Sequence, residues 1–280
     1  FWLKNKVIFT KKHYEVDASN PMQRNFPSAG YDSDDGLWLE QTFDYDLAPR
    51  VAARANLYVT SNKGWRSHYD LDWNNKGAGA LLTYGVFDDG DDEWIKKEPS
   101  LTLSYAKRIG QTPVTYRLYS EYGRWYGGGI HSNHLRYGIS VTHDTIPLHG
   151  YGLDLSAGYS VTRESYDHSR VQGLSASAFL TKKFNDRFAA YAGGIYTKSS
   201  KENALFSYNE EDYSKVFMGG LSYRLGERDR IAIGTKYAVE PRAWTDVDYY
   251  WFHDLHCSQI ILRYRSKQDS WKVKWEFTPW

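Results

Sequence analysis

The residues best suited to chemistry in this chain lie near its end, where His253, Asp254, His256 and Cys257 crowd into one short run. Imidazole and thiolate together suggest zinc. A structural zinc site takes four ligands oriented by further partners, and this run supplies three candidates, His253, His256 and Cys257, so no metal is expected. Oxygen ligands concentrate in the acidic segment 88–93, Asp-Asp-Gly-Asp-Asp-Glu. It lacks the regular spacing of a calcium loop and reads as a solvated loop. Gly127, Gly128 and Gly129 precede no helix, so they are a loop tip and not a phosphate cradle. Hydrolysis would need a nucleophile beside a His base and an orienting acid. His143 and Asp144 are adjacent and serines are plentiful, but nothing in the sequence assembles them, and no enzyme is expected. The basic residues Arg263, Arg265, Lys272 and Lys274 are different. Spaced two apart, they share one side of consecutive strands, and Arg and Lys suit charge-assisted contact with phosphate.

The elements that carry them are legible from periodicity. In Ser258–Arg265, Ile260, Leu262 and Tyr264 fall on one face and Gln259, Arg263 and Arg265 on the other. After a polar turn, Trp271, Val273, Trp275 and Phe277 oppose Lys272, Lys274 and Glu276. The same alternation recurs from Phe26 onward, for example Val51, Ala53, Ala55, Leu57 and Val59 against Arg54 and Asn56. It gives about 16 strands and no convincing amphipathic helix. With no helices to cover it, the sheet must close on itself.

Composition tells what lies outside. Tyr (24) and Trp (11) are abundant while mean hydropathy is −0.66, which leaves little for a large dry core and much for membrane interfaces. No apolar run reaches the length a membrane helix needs, and the net charge of +1 implies no nucleic-acid partner. The expected fold is an all-β, transmembrane, antiparallel up-and-down barrel. Tight connections (48–50, 74–77, 110–113, 147–150, 185–187, 226–229, 252–256) alternate with longer ones (88–99, 127–133, 163–171, 198–214). That asymmetry predicts short turns and both termini on the periplasmic side of a bacterial outer membrane. At about 4.8 Å per strand and about 40° tilt, such a barrel is roughly 30 Å across, too wide for side chains to plug. Residues 26–280 form it. Residues 1–25, with one strand over 6–16, read as the end of a periplasmic β-domain or a linker, and the chain as a mature or trimmed piece.

Closure pairs the first strand, about 26–34, with the last, about 271–280. Pro27 and Pro279 each lack the N–H a ladder needs, and Ala29 and Gly30 add little packing. Phe26, Pro27, Ser28, Ala29 and Gly30, facing Trp275, Phe277 and Pro279, are therefore expected to form a weak seam able to open sideways.

Two stretches carry a resemblance. Residues 26–39 (Phe-Pro-Ser-Ala-Gly-Tyr-Asp-Ser-Asp-Asp-Gly-Leu-Trp-Leu), followed by Phe43-Asp-Tyr-Asp-Leu-Ala-Pro-Arg50 and then 58–65, resemble the start of the barrel in the LptD family of lipopolysaccharide-assembly proteins. The run 249–257 (Tyr-Tyr-Trp-Phe-His-Asp-Leu-His-Cys) is similar to that family's Cys-bearing periplasmic turn. The resemblance covers about 100 residues at the two ends of the barrel, and 76–213 is generic strand. It implies delivery of lipopolysaccharide from periplasmic bridge proteins into the outer leaflet, a plug lipoprotein in the lumen, and no cofactor. Arg263, Arg265, Lys272 and Lys274 would then guide the phosphorylated headgroup. Family barrels are much larger, so room for the plug is the point where this chain departs. Cys257 has three readings: a metal ligand, an idle buried thiol, or, as expected, a disulfide to a periplasmic part absent here. A porin-type diffusion channel is the alternative function. It calls for a long loop folded inward and no weak seam.

Overall fold

The computed structural model describes residues 2–3, 6–7, 26–88, 94–200, 205–206 and 213–277. Its strands are β1 (Ser28–Asp32), β2 (Gly36–Ala48), β3 (Val51–Thr60), β4 (Gly64–Trp65 and His68–Asn75), β5 (Ala78–Asp88), β6 (Trp94–Arg108), β7 (Val114–Gly127) and β8 (Ile130–Leu148). They continue as β9 (Tyr151–Glu164), β10 (Arg170–Lys183), β11 (Phe188–Ser199), β12 (Lys215–Arg224), β13 (Asp229–Ala238), β14 (Ala243–Asp254), β15 (Ser258–Arg265) and β16 (Ser270–Phe277). Each pairs antiparallel with the next, and β16 pairs with β1, so the 16 strands close into a barrel. Outside the barrel, Trp2–Leu3 pairs with Lys6–Val7. Of the strand expected over 6–16, residues 8–16 lie outside the described residues.

Register turns the sequence alternation into two surfaces. Leu82, Leu101, Tyr122 and Leu135 are successive partners across β5 to β8, and the first three are exposed on the outer face. One step along the strands, Thr83, Ser100, Gly123, His134 and Glu164 are successive partners across β5 to β9, buried on the inner face. Large apolar side chains exposed outside and small or charged ones enclosed within is the arrangement that lipid outside and water inside select. Along β7 the outward face runs from Tyr116, beside Lys107, to Tyr126, beside Lys96. Ten residues at about 3.3 Å each and about 40° of tilt give a belt about 25 Å high, the height of a lipid-facing band.

The connections correct two expectations: β6 already begins at Trp94, so 94–99 of the expected connection 88–99 is strand. Residues 127–133 are not a long loop: Gly128 and Gly129, at φ of 57° and 81°, make a two-residue hairpin turn of the primed type, and β8 starts at Ile130. Positive φ at both positions is why glycine stands there. The longest connection, 200–214, shares its end of the barrel with the turns 128–129 and 165–169. Only short connections, such as 49–50, 76–77 and 255–257, occupy the other end, where β1 begins.

Candidate functional site: the closing seam and the lumen wall

The seam is made by the shortest barrel strand. β1 has five residues, whereas β8 has 19. Pro27 stands immediately before it and has no N–H to continue the ladder. Ser28, Ala29, Gly30, Tyr31 and Asp32 face Glu276, Trp275, Lys274, Val273 and Lys272 on β16, and on their other edge Glu40, Leu39, Trp38, Leu37 and Gly36 on β2. β1 therefore stops at Glu40, while β2 continues to Ala48, so residues 41–48 extend past the end of the first strand toward the short-turn end. The first seam strand is shorter than the expected 26–34. Phe277 is in register with Ser258 of β15, and Pro279 lies outside the described residues.

Four contacts close the short ladder. The rings of Phe26 and Phe277 lie 5.5 Å apart at one end. At the other, Ser33 N donates to the Trp271 carbonyl at 3.0 Å, and Trp271 N donates to Ser33 Oγ at 3.3 Å. Between them Lys272 Nζ reaches Asp32 Oδ2 across the seam at 3.4 Å. Gly30 is there by necessity, because a Cβ would fall onto the Val273 carbonyl of β16 and into the Trp38 indole. Trp38, 5% exposed, covers that glycine from the adjoining strand. It packs on Tyr58 (5.9 Å between centroids), which stacks on Trp94 (6.2 Å).

The four basic residues of the closing strands are all matched by carboxylates. Arg263 lies 2.5 Å from Asp248, Arg265 lies 3.6 Å from Asp246, and Lys274 lies 2.7 Å from Glu276; Lys272 holds Asp32 as above. Asp248 gathers Arg263, Arg265 and the Tyr250 hydroxyl around one buried carboxylate. These pairs tie β14 to β15 and β16 to β1 from inside, while Lys274–Glu276 lies within β16. A headgroup that used them would have to displace their partners.

Cys257 is a free, exposed thiol in the turn 255–257, on the end of the barrel where β1 begins, so the reading of an idle buried thiol does not hold. His253 Nδ1 lies 2.9 Å from Asp229 Oδ1 across the sheet, while the His256 backbone N–H donates to Asp254 Oδ1.

Sequence reasoning missed an inward cluster on β6 to β9. His134 Nδ1 meets Glu164 Oε1 at 2.5 Å with both side chains almost wholly enclosed, and the Trp125 ring stacks on His134 at 3.6 Å. Lys97 Nζ and Ser100 Oγ both contact Glu121 Oε1, at 2.7 and 2.9 Å. These residues come from four strands and form no local motif, so only register joins them. It also missed Phe206. That residue belongs to the connection between β11 and β12, yet it packs on Trp125 (5.9 Å) and beside Gly127, on the inner face of β7. Tyr213, at the far end of the same connection, packs on the inward apolar group Phe179, Tyr191, Val216 and Met218.

No family model and no curated protein matches this chain. Solved structures do. CdiB from Escherichia coli aligns at TM-score 0.55 and 11% identity, over 90% of this chain and 62% of its own length. CdiB from Acinetobacter baumannii aligns at 0.56 and 10%, over 90% and 59%. OpdK from Pseudomonas aeruginosa, solved with vanillate, aligns at 0.50 and 8%, over 90% and 96%. The chain thus spans about three-fifths of the CdiB structures. At such low identity the likeness concerns the fold. Taken with the apolar outer belt and the charged interior, it makes this chain an outer-membrane β-barrel.

Proposed function

We propose that the barrel passes an amphipathic lipid sideways through the β1–β16 seam into the outer leaflet, and that the lipid is lipopolysaccharide, as the resemblance to the LptD family implies. The supporting observation is the five-residue β1, which pairs with only Lys272 to Glu276 and leaves β2 extending past it. A ladder hydrogen bond is worth about 1 kcal/mol net where water replaces the lost partner, and several where only lipid can. A seam of five residues with one edge on a wet lumen keeps the opening cost within what lipid contacts can offset. The reading includes periplasmic bridge proteins as donors of the lipid, a plug lipoprotein as lumen partner, and a disulfide from Cys257 to a periplasmic part.

A second reading, a diffusion channel for small solutes, is favoured by one specific observation. Phe206, from the connection between β11 and β12, packs on Trp125 at the inner face of β7, where a constricting loop would place a side chain. One experiment separates the two. In a Cys257→Ser background, Ser28→Cys with Glu276→Cys places thiols at a register pair of the seam. Export of lipopolysaccharide should stop when they are oxidised and return on reduction, with folding unchanged. Undiminished export by the demonstrably cross-linked protein sinks the lateral route and leaves the channel.

A further inference from the structure

Lipid binding on the outer wall is a separate matter from what the lumen carries. On β6, β7 and β8, Lys96 and His131 are both register partners of Tyr126, so the three share the outward face, and Arg124 shares it two residues before Tyr126. Lys96 Nζ lies 2.6 Å from Glu98 Oε1, while His131 Nδ1 and Arg124 Nε lie 3.2 and 3.9 Å from Glu98 Oε2. The carboxylate is enclosed at 18% exposure, and the guanidinium is presented at 58%. Two strands further, Arg163 and Arg170 stand directly opposite each other on β9 and β10, both exposed. Arg163 shares its face with Leu135 and Arg170 with Leu174, which places both outside. Like charges opposed across a ladder destabilise it. Neither arginine has an ion-pair partner among the described residues, and Asp167 in the intervening turn accepts from the Ser169 backbone N–H.

These cations sit at the long-connection edge of the lipid-facing belt, on five adjacent strands about 20 Å wide. That is headgroup depth. Guanidinium pairs suit phosphate oxygens, and an anion between Arg163 and Arg170 would turn a repulsive pair into two charge-assisted contacts. We propose that the exterior of β6 to β10 is a docking surface for the phosphorylated headgroup of a membrane lipid. It holds whether the lumen exports lipid or conducts solutes.

The test uses the full chain folded in neutral detergent and native mass spectrometry, with bisphosphorylated lipid A, dephosphorylated lipid A and inorganic phosphate as probes. Lipid A should bind; dephosphorylated lipid A should not, and inorganic phosphate should compete weakly. Arg163→Gln with Arg170→Gln should weaken lipid A binding about tenfold, whereas Lys107→Gln at the opposite rim should not. In detergent alone, Arg170→Gln should raise the temperature at which the folded band is lost on gels, by relieving the repulsion, and lipid A should protect it less than the parent. Equal binding of the dephosphorylated lipid, or an unchanged affinity in the double variant, overturns the proposal. So does inorganic phosphate binding as tightly as lipid A, which would mark a soluble-anion site.

Discussion

Gly30 shows how much one atom decides at this seam. A methyl group there meets the carbonyl of Val273 on the facing strand and the ring of Trp38 behind it. Backbone cannot yield as a side chain can. Gly30→Ala should therefore part β1 from β16 locally, seen as faster maleimide labelling of a cysteine at Ala29 and a lower temperature of band loss. Labelling no faster than in the parent would show that the seam absorbs the methyl. The buried His134–Glu164 pair makes the opposite demonstration on the far wall. Glu164→Ala leaves His134 enclosed without its acid and should cost about 3–5 kcal/mol, measured by urea unfolding of the barrel in detergent micelles. Cys257 gives a prediction of a different kind. Exposed at the end where β1 begins, it should form a mixed disulfide in an oxidising periplasm. Full alkylation of the thiol in protein taken from cells, without prior reduction, would count against that.

At the scale of elements, turns and strand lengths carry the argument. The Gly128–Gly129 turn needs positive φ at both residues, and a β-branched residue there pays about 1–2 kcal/mol for the left-handed region. Gly128→Val should slow or destabilise folding by that amount, while the same change at Gly226, in a φ region open to other residues, should cost less. Orientation is the larger question. If the end carrying 165–169 and 200–214 faces outward, a cysteine at Asp167 should react with an impermeant maleimide on intact cells, and one at Glu227 only after lysis. The reverse pattern would invert the barrel and move the phosphate-binding rim to the inner leaflet.

For the whole molecule the balance lies between two features of the same closed sheet. A short first strand favours the lateral reading, and Phe206 on the inner face of β7 favours the axial one. In planar bilayers the lateral reading predicts small, infrequent conductance from the parent protein. Deleting residues 205–206 should raise it, because Phe206 would no longer reach Trp125. A large steady conductance in the parent would favour the diffusion channel.

Period-two alternation was enough to assign all-β structure, closure, the outward faces and the number of strands, because a strand's side chains alternate whatever its neighbours are. The shortness of the first strand was also approachable from the sequence, since Pro27 and Gly30 act through backbone chemistry local to their own strand. What the chain alone did not determine was who faces whom. Register set Lys272 against Asp32, brought His134, Glu164, Trp125 and Lys97 together from four strands, and left Arg163 opposite Arg170. Those meetings depend on the offsets between strands, which accumulate around the ring until β16 must meet β1. An offset of that kind belongs to the closed barrel, and no single stretch of residues carries it.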